Sequence, residues 1–114
     1  MERFQPGDRV FARFIFTDTS QTKNRPAVII AALPQDNYLM CSVTTKADTS
    51  DPFRIELRKD AIGDGHLPHD SFIRPSLLMT VHRSLILWKQ GVLPSEMLQQ
   101  VRDVIVGIVT GSIP

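Results

Sequence analysis

One segment of this chain has the periodicity of a helix, and it lies at the C-terminal end. Apolar residues within 97–109 recur at spacings of three and four, the period of an amphipathic helix. Ser95 is a suitable N-cap, and Gly111 and Pro114 are typical of residues that follow a helix. The pattern predicts a helix over about residues 96–110.

The segments before the helix are short, rich in apolar and β-branched residues, and separated by turn-forming residues. They predict strands at 9–16, 27–33, 38–45, 53–57, 71–74, 79–81 and 85–88, with one helical turn at 75–78 and loops at 17–24, 34–37 and 64–70. Several short strands followed by one helix indicate a mainly β (α+β) fold. We expect a small antiparallel barrel or curled sheet with the helix over one opening.

A chain of 114 residues with 42% hydrophobic and 22% charged residues has the size and composition of one folded domain. No linker or repeat divides it, so we expect a single domain over residues 1–114. Cys41, the only cysteine, is expected to be a packed thiol. The longest apolar run, 27–33, is too short to span a membrane, and no signal peptide is recognisable, so we expect a cytoplasmic protein.

The formal net charge of +1 limits which partners the chain can bind. Proteins that grip nucleic-acid backbones usually carry a clear basic excess or a basic stripe. Any nucleic-acid site must therefore be local, and dimerisation could bring two modest basic patches into one groove.

Several segments occur together in an order and spacing that resembles the MazF/PemK toxin family. The matching segments are 6–10 (PGDRV), 14–18 (FIFTD), 23–29 (KNRPAVI), 43–44 (VT), 70–74 (DSFIR) and 79–81 (MTV). Each is nonspecific alone, and it is their joint occurrence that carries the resemblance. With the terminal helix, the resemblance covers nearly the whole chain.

The resemblance implies a barrel of the Src-homology-3 type, the CcdB/PemK-like fold, in a homodimer that binds RNA along its interface. Family members are toxins of type II toxin–antitoxin systems, or mRNA interferases. They cut single-stranded RNA without a metal or other cofactor, leaving a cyclic phosphate and a free 5′ hydroxyl. A cognate antitoxin normally covers the groove.

In metal-free RNA cleavage the ribose 2′ hydroxyl attacks the neighbouring phosphorus, so the enzyme supplies positioning, charge stabilisation and proton transfer. Arg25 is the first candidate catalytic residue, because its planar fork can bind two phosphoryl oxygens and Pro26 favours an extended backbone before it. Thr44 matches the family's catalytic threonine and could donate a hydrogen bond to a phosphate oxygen. Either residue could instead be structural: Arg25 in a surface ion pair, Thr44 as an ordinary strand residue.

The predicted loop before Arg25 is expected to close on RNA. One branch of the family has a glutamate where this chain has Ser20, which leaves the general base open, with Asp18 as a substitute. The remaining candidates for RNA binding are Lys23, Thr45, Lys46, Arg74, Ser76 and His82. Ser76 stands where PemK-like members carry an acidic residue, and His82 falls near a position that is often Asp in relatives.

Two further interpretations of the same residues are possible. His66 and His69, near Asp64 and Asp70, could suggest zinc, but they lie in a Gly/Pro loop without a third strong ligand. Trp88 and Phe72 could stack on bases, although core or dimer packing is the more usual role of large aromatic residues.

Two alternatives to RNA cleavage also remain open. Ser20 and Ser76 leave the catalytic set incomplete relative to the family, which favours a module that binds RNA or protein without cutting. A gyrase poison like CcdB is the third possibility, since it shares the fold.

Overall fold

The computed structural model describes residues 3–16, 21–46, 50–63, 65 and 67–113. In chain order its elements are β1 (Asp8–Phe16), β2 (Gln21–Leu33), β3 (Asn37–Thr44), β4 (Ile55–Leu57), β5 (Ser71–His82), a 3₁₀ turn (Arg83–Leu85), β6 (Ile86–Val92) and α1 (Ser95–Thr110). No helix within these ranges is long and apolar enough to cross a lipid bilayer.

The six strands form one antiparallel sheet in the order β4-β5-β3-β2-β1-β6. Four register shifts, two in the β1–β6 ladder and one each in β2–β3 and β3–β5, interrupt the regular pairing, and such bulges bend and twist a sheet. The segment that follows β4 pairs with β6, the opposite edge strand, through an isolated bridge between Gly63 and Val92. The sheet is therefore a curled half-barrel, which confirms the predicted mainly β fold with a C-terminal helix.

Alternate residues of the central strands point to opposite faces and build two apolar clusters. The first cluster lies on one face: Phe4, Val10, Ala12, Phe14, Ala27, Ile29, Tyr38, Met40, Val81 and Ile86. The second lies under α1 on the other face: Val28, Ile30, Cys41, Val43, Ile55, Leu57, Leu67, Ile73, Leu93 and Val101. The helix covers the second face only. The site residues lie along the first face.

Helix α1 confirms the C-terminal prediction, with one correction at its start. Pro94 is the N-cap residue and makes no side-chain cap hydrogen bond, so the expectation that Ser95 caps the helix is wrong. Gly111 ends the helix in the left-handed region at φ 72°, where its N–H donates to the carbonyls of Gly107 and Ile108. This conformation favours glycine, as expected from the sequence.

Strand β2 begins at Gln21, six residues before the predicted start, and its polar N-terminal half pairs with β1. The polar residues 21–24 were predicted as part of a loop because they lack apolar side chains. Backbone pairing does not require an apolar side chain, so these residues form a strand. The predicted loop residues Asp18 and Ser20 lie outside the described residues.

The helical turn predicted at 75–78 is wrong, since β5 is one strand with a bulge. Cys41 pairs with Leu78 while the next residue of β3, Ser42, pairs with Arg74, so residues 75–77 are extra. Pro75 is buried in this bulge. Proline has no N–H to donate and is accommodated at bulges, which explains its place here.

The packed thiol predicted for Cys41 is confirmed. The residue is fully buried in the second cluster, and this burial raises the pKa of the thiol to about 12.

Candidate active site

Arg25 and Thr44 lie on the same face of the sheet, on neighbouring strands. Ala27 of β2 pairs with Ser42 of β3, and directly paired residues share a face. Arg25 precedes Ala27 by two residues and Thr44 follows Ser42 by two, so both side chains are on the face of the first cluster. Arg25 is exposed and Thr44 half-buried. The sheet thus places a cation and a hydroxyl side by side, just past the paired stretch of β2 and β3.

A pocket of about 380 Å³ opens beside Arg25. Its polar lining includes Arg13, Arg25 and Ser42, and its apolar lining includes Phe14 and Leu78. An apolar pocket with Arg25 in its lining suits a ligand with both a flat apolar part and an anionic part.

The hydroxyl of Thr44 has a defined hydrogen-bond role. Its Oγ1 atom accepts a hydrogen bond from the backbone N–H of Lys46 at 3.1 Å. A hydroxyl has one proton and two lone pairs, so accepting this bond leaves the proton for another acceptor. Thr44 can therefore donate to an oxygen of a bound anion.

Arg74 lies on the same face, one strand beyond β3, because it pairs with Ser42. Its Nε atom donates to Oδ2 of Asp51 at 2.9 Å, and the Ser76 hydroxyl lies 3.2 Å from the same oxygen. The other carboxylate oxygen of Asp51 accepts the backbone N–H of Phe53 at 2.9 Å. These contacts connect the loop before β4 to the bulge in β5.

The pKa of the Asp51 carboxyl is shifted by opposing effects. Burial alone would raise it, but hydrogen bonds from Arg74, Phe53 and Ser76, together with the charge of Arg74, lower the pKa below its ordinary value of 3.8. Asp51 is thus held as a carboxylate next to the arginine.

The other predicted RNA-binding residues are distributed unevenly. Lys23 is on the same face as Arg25, two residues earlier on β2, and Thr45 and Lys46 follow Thr44; all three are exposed. The basic residues of this region are Lys23, Lys46, Arg13, Arg25 and Arg74. They concentrate positive charge at one end of the sheet, although the whole chain has a formal net charge of only +1.

His82 lies far from Arg25 and Thr44 within one chain. It pairs with Asn37 at the start of β3, whereas Thr44 is at the other end of this eight-residue strand, roughly 23 Å away. The His82 Nδ1 atom accepts the backbone N–H of Ser84 at 3.1 Å and caps the 3₁₀ turn. In this structure the residue has a structural role.

Phe72 and Trp88, the aromatic residues considered for base stacking, lie in different parts of the sheet. Phe72 pairs with Thr44 and is half-buried beside the site. Trp88 is stacked on Phe11 with ring centroids 4.9 Å apart and is 53% exposed at edge strand β6. Only Phe72 adjoins the Arg25 and Thr44 cluster.

The metal interpretation of the 64–70 loop finds no support among the described residues. They contain no group of three or more His, Cys, Asp or Glu side chains that could hold a metal ion. His69 is exposed, whereas Asp64 and His66 lie outside the described part of the chain.

Sequence reasoning missed Asp51, Ser42 and Arg13. Ser42 could have been found, because it precedes Thr44 by two residues and so shares its face of a strand. Asp51 gave only the signal of a turn residue before Pro52, and nothing local connects it to Arg74, 23 positions later.

Solved structures of MazF proteins have the same fold. Deinococcus radiodurans MazF superposes with a TM-score of 0.71 at 20% identity, covering 97% of this chain and 99% of that chain. The Mycobacterium tuberculosis toxin MazF-mt6 has a TM-score of 0.68 at 16% identity, covering 91% and 96%. A mycobacterial endoribonuclease solved with its cognate antitoxin has a TM-score of 0.70 at 9% identity, covering 98% and 100%. No curated protein matches the chain by sequence.

The curled antiparallel sheet with one C-terminal helix is therefore a toxin fold of the MazF type. A family model described as "PemK-like, MazF-like toxin of type II toxin-antitoxin system" matches residues 5–109. The chain belongs to this family, as its sequence motifs predicted.

Proposed function

We propose that this chain is an endoribonuclease toxin that cuts single-stranded RNA without requiring a metal ion. The observation that carries this proposal is the placement of Arg25 and Thr44 on one face of the sheet, just past the paired stretch of β2 and β3, with Arg25 also lining an open pocket. A scissile phosphate bound there would meet a fixed cation and a hydroxyl donor together.

In the proposed reaction the 2′ oxygen of the substrate attacks the adjacent phosphorus and the bond to the 5′ oxygen breaks. Arg25 stabilises the charge that develops on the phosphoryl oxygens, because its guanidinium can bind two of them at once. Thr44 donates a hydrogen bond to a non-bridging oxygen and orients the phosphate. The products are a 2′,3′-cyclic phosphate and a 5′ hydroxyl, since the attacking 2′ hydroxyl loses one proton and the departing 5′ oxygen gains one.

We further propose that the toxin acts in the cytoplasm as one domain in a homodimer, and that a cognate antitoxin inhibits it. A mycobacterial neighbour was solved with its cognate antitoxin, and the Deinococcus radiodurans MazF with MazE. Pairing two copies would double the cations available to one RNA strand, which suits a chain of low net charge. Sedimentation of the pure protein tests the dimer.

The cleavage experiment compares three proteins on single-stranded RNA in the presence of a chelator. Wild type and Arg58→Ala are expected to cut, and Arg25→Ala to lose at least about a hundredfold in rate, as removal of one transition-state charge contact typically costs. Arg58 is a matched control, since it is an exposed arginine paired with Asp60 at 3.5 Å. End analysis should find the cyclic phosphate.

Each other outcome points to a different function. Equal cleavage by wild type and Arg25→Ala contradicts the role of Arg25. RNA that is bound tightly but recovered intact supports a binding module. Inhibition of gyrase supercoiling without any loss of RNA supports a poison of the CcdB kind.

A further inference from the structure

The contact between Asp51 and Arg74 pairs a buried anion with a partly open cation. The Asp51 side chain is 3% exposed and the Arg74 side chain 30% exposed. Burying a carboxylate costs free energy unless charge and hydrogen bonds compensate, and here Arg74, Phe53 and Ser76 all donate to it. Asp51 is therefore the fixed member of the pair, and Arg74 is held by it.

The nitrogen that donates determines what the rest of the guanidinium can do. Nε, at the inner edge of the group, binds Asp51. Arginine has five N–H donors, so this bond leaves the four on the two terminal nitrogens for other acceptors. A guanidinium fixed at one edge can present its other edge to a second anion without first losing side-chain rotamer freedom.

Arg74 lies on the same face of the sheet as Arg25. Ala27, Ser42 and Arg74 form a row across β2, β3 and β5, and Arg25 and Thr44 are in the next row outward. The two arginines are thus two strand spacings apart across the sheet and one row apart along it, roughly 12 Å between Cα atoms, with Thr44 on the strand between them. One RNA strand lying over Thr44 can contact both.

We propose that Asp51 is a positioning residue that fixes Arg74 for binding a phosphate group of the RNA. Asp51 touches no substrate and acts through Arg74 alone. PemK-like members carry an acidic residue two positions after this arginine, where this chain has Ser76. Here Asp51, in the loop before β4, supplies a carboxylate to the arginine instead. The inference rests on the proposed function for its effect on cleavage, but the anchoring itself can be measured without cleavage.

The first experiment is a double-mutant cycle of RNA cleavage with wild type, Asp51→Asn, Arg74→Ala and the double variant. Asp51→Asn is expected to lower kcat/KM by about tenfold to a hundredfold, the loss that misplacing a positioned group produces. In the Arg74→Ala background the same change is expected to have no further effect. Asp60→Asn is the matched control, because Asp60 is an exposed carboxylate paired with an exposed arginine.

If Asp51→Asn does not fold, a second variant that leaves Asp51 in place tests the same proposal. Arg74→Lys retains the charge on the partly exposed partner, but lysine is a point charge and cannot bind Asp51 and a phosphate with two separate edges. It is expected to lose as much activity as Arg74→Ala. Wild-type activity in Arg74→Lys, or an equal loss from Asp51→Asn with and without Arg74, would overturn the proposal.

The anchoring is measured by NMR through exchange of the arginine Nε protons with water in ¹⁵N-labelled protein. The Arg74 proton is expected to exchange slowly in wild type and rapidly in Asp51→Asn, with Arg58 as the rapidly exchanging reference. If Arg74 exchanges as fast as Arg58 in wild type, the inference is wrong whether or not RNA is cut. If the Arg74 proton is protected but wild type cuts no RNA, the proposed function fails and the anchoring stands.

Discussion

Ala27 of β2 lies directly opposite Ser42 of β3, and this pairing sets the register of the proposed active site. Because side chains alternate along a strand, a slip of one residue would send Arg25 or Thr44 to the helix-covered face. The apolar partners farther along, such as Ile29 opposite Met40, are fully buried on the same face. The core that stabilises the sheet therefore also fixes which polar side chains meet at its end.

The first prediction concerns the hydroxyl of Thr44. Thr44→Val keeps the shape and strand preference but removes the proton donor, so RNA cleavage should fall about a hundredfold, as it does when one oxyanion donor is lost. Thr44→Ser keeps the hydroxyl and should retain most of the activity. Single-turnover cleavage rates of the two variants distinguish the roles. Equal rates would mean that Thr44 is only a strand residue.

The helix and the general fold could be predicted from the sequence because their signals are local. Apolar spacing within residues 97–109 specifies the face of α1 that packs on the sheet, and Gly111 marks its end. The bulge in β5 could not be predicted in this way. Pro75 fits the start of a helical turn as well as a bulge, and only the pairing with β3 decides between them.

The site could be predicted only in the part that follows strand alternation and family motifs. Arg25 and Thr44 come from segments with recognisable neighbours, and the sheet brings them together. The contact of Arg74 with Asp51 joins residues 23 positions apart through a loop, and no local period encodes such a distance. His82 lies far from Arg25 and Thr44 because its position along β5, not proximity in a motif, sets its location.

The second prediction concerns the reactivity of Cys41. Its thiol is fully buried and its pKa is raised to about 12, so almost no thiolate is present near neutral pH. A thiol-specific reagent should leave the native protein unlabelled at pH 8 and label one thiol per chain in denaturant. Mass spectrometry of both samples provides the measurement. Rapid labelling of native protein would contradict the packed arrangement.

The third prediction concerns the close approach of Gly65 to strand β6. A Cβ atom on Gly65 would collide with the backbone oxygen of Gln90 and lie 2.6 Å from the Cα of Gly91, and backbone atoms cannot easily move away. Gly65→Ala should destabilise the protein by about 1–3 kcal/mol, the usual cost of overpacking.

Gly63 provides the matched control for this substitution. Its added Cβ would meet the Val92 oxygen at 3.7 Å, an ordinary contact, so Gly63→Ala should be much better tolerated. Denaturant unfolding of both variants gives the comparison. If Gly65→Ala is as stable as wild type, Gly65 does not approach β6 as closely as described.

The fourth prediction concerns acid stability and follows from the lowered pKa of Asp51. Hydrogen bonds from Arg74, Phe53 and Ser76 outweigh the effect of burial, so the folded pKa is below the ordinary value of 3.8. Above pH 3.8 the carboxylate is charged in both states, and the folded state gains the full benefit of its partners. As the pH falls from 3.8 through the lowered pKa, the unfolded state binds the proton first and this stabilisation is lost.

Wild type should therefore lose free energy of unfolding more steeply below pH 3.8 than Asp51→Asn, which has no proton to bind at this position. Asp60→Asn should follow the wild-type curve, because its carboxylate is exposed and its ion pair is screened by solvent. Urea unfolding at a series of pH values between neutrality and the acid limit measures all three curves. Parallel curves for wild type and Asp51→Asn would show that Asp51 gains nothing from its three donors, and its hold on Arg74 would then lack an energetic basis.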